Sequence, residues 1–333
     1  MVAWRYRAAA LGLAASILAG HAGAAPACNM RLVAELPARI SGGAILAAVS
    51  INGHQTEAEI DSGVSESKIS AWALPQLGLM QHPVDATVVS PSGNRTAYAT
   101  SVDKLQMGKL TVKDVPLLVN GMMGERHDVD EAPMVIGARL LSDFDVEFDL
   151  ANKAVRLFKP EGCHGDEVLY WGGAFSMAPL IGNPDAEYYF RIPVTLNGQT
   201  VQAMIGSGSG YSWVASSVAQ NVGARDVAGA QTVNSVNLIT RPKVFNTVTI
   251  DQEAMKNVTL EVADLKQKFA RDALGTRLGA FYRIDQMLLG NDFLRAHRLI
   301  ISNSQHGVYF TYAGGPIFSL HTASGGEGVN FTP

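Results

Sequence analysis

Asp61, in the run Ile60-Asp61-Ser62-Gly63, has the type and setting for chemistry. A carboxylate at a loop tip can orient a water or take a proton from it. The plainer reading is that an Asp before Ser-Gly caps its own turn. A second run of the same form, Ile205-Gly206-Ser207-Gly208, follows 145 residues later, with glycine where the carboxylate would stand. A lone carboxylate has no like-charged neighbour to split its titration, so it can hold a water but is short of an acid. Other chemistries fail on spacing. Gly206-Ser207-Gly208-Ser209-Gly210 is followed by Tyr211, which misplaces the third glycine of a dinucleotide fingerprint. No frame around Ser207 or Ser209 reads Gly-x-Ser-x-Gly, as a nucleophile elbow requires. The eight His are scattered, and two Cys without His at ligand spacing cannot complete a metal tetrahedron. No metal and no cofactor is expected.

The elements that carry these runs come in two copies. Residues 44–63 read AILAAVSINGHQTEAEIDSG and residues 189–208 read YFRIPVTLNGQTVQAMIGSG. Each is a strand, an Asn-Gly pair, a second strand and a Ser-Gly turn. Asn52-Gly53 and Asn197-Gly198 predict two-residue hairpins. A short helical piece follows each, at 70–79 and 215–224, with Gly78 and Gly223 as stops. The copies close alike, on VIGARLLSDFDVEFDL (135–150) and LLGNDFLRAHRLIISN (288–303). The stretch 269–285 supplies the extra residues of the second copy. Asp143, Asp145, Glu147 and Asp149 alternate with Phe144, Val146 and Phe148, which predicts that the charges line the solvent face of a strand.

The chain has 333 residues, 47% of them hydrophobic, with 26 basic and 30 acidic side chains for a net charge of −4. That balance argues against a nucleic-acid partner, which asks for a basic stripe, and against disorder. Glycine, 33 residues, is above the usual share of about 7% and suits a turn-rich β fold. Arg5 and Arg7, the apolar run Ala8–Ala19 and the small-residue triplet Ala22-Gly23-Ala24 read as a secretory signal peptide over 1–25. Its apolar run is shorter than the roughly 20 residues of a membrane span, and no later segment is expected to cross a bilayer. Export into the periplasm, or beyond the cell, is the expectation. In such a compartment the even pair Cys28 and Cys163 favours a disulfide, with two buried free thiols as the alternative.

The doubled order of strand, Asn-Gly hairpin, Ile-Asp-Ser-Gly, short helix and apolar-apolar-Gly resembles the aspartic peptidases. The nearest likeness is the bacterial retropepsin-like type, duplicated into two lobes. The resemblance implies an all-β fold, β-rich with short helices, built as two tandem retropepsin-like β-barrel lobes around a central cleft. The lobes would span 26–160 and 186–320, joined by a linker at 161–185 and trailed by a flexible tail at 321–333. It implies that the loops 61–63 and 206–208 meet at the cleft floor. Asp61 is then the catalytic candidate, and Ser62, Gly63, Gly206, Ser207 and Gly208 join it in the substrate-binding floor. A hairpin flap would close over them, with its tip at Pro91-Ser92-Gly93-Asn94, so that Ser92 and Gly93 touch substrate. Asn234 to Thr240 is the guess for its counterpart in the second lobe.

That machinery uses two carboxyl groups and one water, and Gly206 removes one of the two. The expected function is binding of extended peptide or protein segments between the lobes, with hydrolysis weak or lost. An active endopeptidase would need an unseen second acid, for which Asp226, Asp251 and Asp292 are candidates. A weaker alternative is an envelope structural or assembly factor. A monomer is expected.

Overall fold

The computed structural model describes residues 27–90, 93–124, 131–182, 188–234, 239–263 and 286–320. The expected signal peptide, Ser92, the stretch 269–285 and the tail 321–333 lie outside the described residues.

The first copy runs β1 (Asn29–Ser41), β2 (Ala44–Ile51), β3 (His54–Asp61), β4 (Lys68–Ser70), β5 (His82–Ser90), β6 (Gly93–Met107), β7 (Leu110–Asn120), β8 (Met134–Gly137), α1 (Ala138–Leu141), β9 (Asp145–Asp149) and β10 (Ala154–Glu161). β11 (Ser176–Pro179) lies in the connection. The second copy runs β12 (Arg191–Leu196), β13 (Gln199–Ile205), β14 (Trp213–Ala215), α2 (Ser216–Asn221), β15 (Arg225–Asp226), β16 (Val233–Asn234), β17 (Ile239–Ile250), β18 (Glu253–Ala263), β19 (Met287–Leu289), α3 (Asn291–Ala296), β20 (His297–Ser302) and β21 (Gly307–Tyr312).

Two closed barrels result. The first has the order β2-β3-β8-β4-β7-β6 and closes through β2 and β6. The second has the order β12-β13-β19-β14-β18-β17 and closes through β12 and β17. Each places a parallel pair beside the loop of interest: β3 on β8 with Ala58 opposite Met134, and β13 on β19 with Ala203 opposite Met287. The Asn-Gly turns behave as their residue types demand. Asn52 and Gly53 have φ of 49° and 90°, and Asn197 and Gly198 have 48° and 85°, the two positive values of a type I′ hairpin. Along β3, Ala58 and Ile60 point into the barrel core, while Glu57, Glu59 and Asp61 lie on the opposite, half-buried face.

A third layer joins the halves. β1, β10 and β9 of the first copy, β20 and β21 of the second, and β11 form one antiparallel run in the order β11-β21-β20-β9-β10-β1. This layer overturns one expectation. Asp145, Glu147 and Asp149 do alternate along β9, yet all three are buried. Period two assigns faces, but it does not say what covers them. Here β20 and the segment after Cys163 bring partners. Arg298 reaches Glu147 at 2.7 Å, Arg156 reaches Asp149 at 2.9 Å, and Tyr170 donates to Glu147 at 2.6 Å. Ser302 and the Ser304 amide donate to Asp145. The carboxylates are buried because each is paired or hydrogen-bonded.

Cys28 and Cys163 form a disulfide just past the paired ends of β1 and β10, where Asn29 stands opposite Glu161. The bridge joins residues 135 positions apart in the chain. Replacing both cysteines by serine is expected to cost about 2–5 kcal/mol in denaturant unfolding. A loss under about 1 kcal/mol would mean that the strand pairing secures these ends unaided.

Candidate functional site

Loops 61–63 and 206–208, far apart in sequence, meet between the barrels. Ser62 Oγ donates to the Ile205 carbonyl at 2.8 Å and accepts from the Ser207 amide at 3.1 Å. Ser207 Oγ donates to the Ile60 carbonyl at 2.6 Å and accepts from the Ser62 amide at 2.9 Å. Both serines are fully buried. The four bonds form a reciprocal lock in which each hydroxyl satisfies backbone groups of the opposite lobe. Glycine at the third loop position is a matter of room. A Cβ on Gly63 would come within 3.2 Å of the Gly206 Cα, and one on Gly208 would run into the Asp61 carboxyl group.

Each loop rests on the end of its parallel pair. Ser67 Oγ accepts from the Gly137 amide at 3.0 Å, and its counterpart Ser212 Oγ accepts from the Gly290 amide at 2.9 Å. Asn291, at the start of α3, crosses the junction. Its amide nitrogen donates to the Gly43 carbonyl at 2.7 Å and the Ser207 carbonyl at 2.8 Å. The first copy has Ala138 at the matching place, so this brace is one-sided. Sequence reasoning missed it, since no local pattern marks an Asn for a contact 248 residues away.

Asp61 is half-buried. Its Oδ1 accepts from the Gly63 amide at 2.8 Å and the Gly208 amide at 3.1 Å. Burial raises its pKa above the ordinary carboxylate value, against the pull of those two amides and the charge of Lys68. The facing position is occupied differently. A Cβ on Gly206 would lie 2.6 Å from Leu288 Cδ1 and 3.2 Å from its Cγ. Leu288 stands on β19 where Val135 stands on β8. The second seat therefore lacks a carboxyl group, and a longer apolar side chain crowds the space that one would enter.

The three sequence candidates for a second acid are engaged elsewhere. Asp292 is buried and accepts from Ser212 Oγ at 2.6 Å and from the amides of Ser212, Phe293 and Ser319. Asp226 pairs with Lys243 on the surface. Asp251, in the β17–β18 turn, accepts from the Met177 amide. A carboxyl that sequence reasoning passed over does neighbour Asp61. Glu59, two residues back on the same face of β3, has its pKa raised from 4.5 to about 7. Burial is the largest cause; the charge of Asp61 and that of Glu131 add to it, and Lys68 opposes it. The alternation Glu57, Glu59, Asp61 was the available signal.

This shift predicts a pH dependence. Between about 4.5 and about 7 the unfolded chain has released the Glu59 proton while the folded chain keeps it, so stability falls as pH rises through that window. Glu59→Gln is expected to remove a slope on the order of 3 kcal/mol at most. Urea unfolding at about pH 5 and about pH 8 measures it, and an unchanged slope in the variant would refute the assignment.

The hairpins expected to cover the floor are present as strand pairs. β5 and β6 pair up to Ser90 opposite Gly93, and Gly93 is the first residue of β6; Pro91 and Ser92 lie outside the described residues. β16 and β17 pair with Asn234 opposite Ile239. Among the described residues, no group of His, Cys, Asp and Glu is arranged to hold a metal ion. No described helix is long and apolar enough to cross a membrane.

A family model described as aspartyl protease matches residues 47–139 and 192–293, one region in each barrel. None of the curated proteins matches. Among solved structures, the aspartic proteinase from Irpex lacteus aligns over 84% of this chain and 96% of its own, with a TM-score of 0.47 and 11% identity.

Proposed function

The chain belongs to the aspartyl protease family, and we propose that it holds extended peptide segments in the groove between its lobes while cutting them slowly or not at all. The observation that carries this reading is the seat at position 206, a glycine with Leu288 pressed against it. Loss of one positioned acid or base typically costs 10²–10⁴ in rate, and groups that act as a unit lose more. The intact Asp61 loop and the serine lock favour a retained binding role: both lobes are still held in register around the floor. Backbone pairing with the β5–β6 hairpin would supply affinity, and pockets for alternate side chains would supply selectivity.

Export is part of the same proposal. It is supported by the basic, apolar and small-residue order of the first 25 residues and by the disulfide, which persists in oxidising compartments. The periplasm is the favoured place, with a monomer acting on peptides or unfolded protein segments.

A library of unstructured peptides incubated with the full mature chain tests the reading. Peptides captured by the protein and recovered almost wholly intact by mass spectrometry are the expected result. Absence of capture at every pH tried, or digestion at the pace of a two-carboxyl peptidase, would sink it.

A further inference from the structure

We infer that Glu59 is the acid partner of Asp61, and that the slow hydrolysis left to this protein runs through two carboxyl groups carried by one strand. This rests on the reading that the groove holds peptides. Glu59 and Asp61 project from the same face of β3, opposite the buried Ala58 and Ile60. Two residues along a strand span about 7 Å, a gap that a glutamate side chain can narrow. Duplication supplies an independent view of where this position reaches. The counterpart of Glu59 is Met204, and its Cε lies 3.6 Å from a Cβ built on Gly63. The side chain two residues before the loop thus extends to the facing loop. On the first lobe the equivalent target is Gly208, whose own Cβ would meet the Asp61 carboxyl.

The neighbours of the two positions differ in where charge sits. Across β8, the row through Glu59 continues to Val135 and Lys68. On its other side stands Leu46 of β2. Glu131, just before β8, adds a further charge. The matching row of the second lobe runs Arg191, Met204, Leu288, Trp213 and Glu261, all buried, with its charges at the two ends and an apolar side chain at the position of Glu59. The charged groups facing Glu59 are therefore Asp61, Lys68 and Glu131, with Lys68 alone favouring its ionised form.

The chemistry balances with these two groups. Asp61, ionised, takes a proton from the attacking water as its oxygen bonds to the peptide carbon. Glu59, protonated up to about neutrality because burial and the Asp61 charge hold its pKa near 7, gives its proton to the carbonyl oxygen. Collapse of the tetrahedral intermediate breaks the C–N bond. Asp61 returns its proton to the departing nitrogen, and the hydroxyl of the intermediate returns one to Glu59. No further reactant is needed, and both carboxyls regain their starting states.

The test uses the full mature chain and the same peptide library, with products counted by mass spectrometry over long incubations. Wild type is expected to cut slowly, with a rate that declines above about pH 7. Glu59→Gln is expected to lower that rate by about 10²-fold or more while still capturing peptide, and Asp61→Asn to abolish it. Lys68→Met is expected to move the declining limb to higher pH, a change that a merely structural glutamate would not produce. Capture without any cleavage by wild type would overturn this inference and leave the binding role standing. Cleavage by Glu59→Gln at the wild-type rate and with the wild-type pH profile would overturn it as well. Failure to capture peptide at all would overturn both.

Discussion

Gly206→Asp combined with Leu288→Val is expected to raise peptide cleavage by about 10²–10⁴-fold, with an optimum on the acid side. The loops already face each other through the serine lock, and the Gly63 amide lies at the junction, where a Cβ on Gly63 would approach the Gly206 Cα to 3.2 Å. A carboxyl at 206 would stand close to Asp61. Two such groups cannot both ionise, so the pair would share a proton and gain the acid and base roles together. Gly206→Asp alone is a poorer experiment, because its Cβ would lie 2.6 Å from Leu288 Cδ1. Overpacking of that kind typically costs 1–3 kcal/mol and would push the new carboxyl out of line. Valine at 288 reproduces the residue at the matching place of the first copy, Val135 on β8. Cleavage assayed by mass spectrometry across acid pH, beside a thermal melt, decides the matter. A double variant that folds as wild type does yet cuts no faster would defeat the view of Gly206 as a vacated catalytic seat.

Ser207→Ala is expected to destabilise the chain by about 2–5 kcal/mol. The hydroxyl is fully buried and satisfies two backbone groups of the other lobe, the Ser62 amide and the Ile60 carbonyl. Alanine leaves both without a partner, and each such group costs roughly 1–3 kcal/mol. Ser62→Ala removes the mirror-image pair of bonds to Ile205 and Ser207 and carries a similar expectation. Because the four bonds form one network, the double variant is expected to lose less than the sum of the two singles. Urea unfolding of the three variants measures all of this. A change under about 0.5 kcal/mol in either single variant would reduce the lock to a surface-like contact.

Much of the architecture could be read along the chain because it is encoded locally and then repeated. Asn52-Gly53 and Asn197-Gly198 select a turn that few other pairs can form. Alternation of Ile192, Val194 and Leu196 with Pro193 and Thr195 selects a strand with one inward face. Gly137 and Gly290 mark where a parallel partner ends against each loop, and the offsets between copies carried straight into the register, Ala58 with Met134 and Ala203 with Met287. The missing carboxylate at 206 needed no coordinates, since it is a letter in a repeat.

What lies around that letter was decided by the tertiary structure alone. Leu288 crowds the Gly206 seat, Asn291 bridges to Gly43, and Glu59 comes under the influence of Asp61, Lys68 and Glu131. The acidic strand Asp145, Glu147, Asp149 turned out to be covered, although its alternation suggested a wet face. The physical reason is common to all four. Side-chain period reports which residues share a face, whereas burial, pKa and the room at a given Cα depend on which distant segment packs against that face. That choice is made by loop meetings and strand pairings between separate segments, and no short stretch of the chain records it.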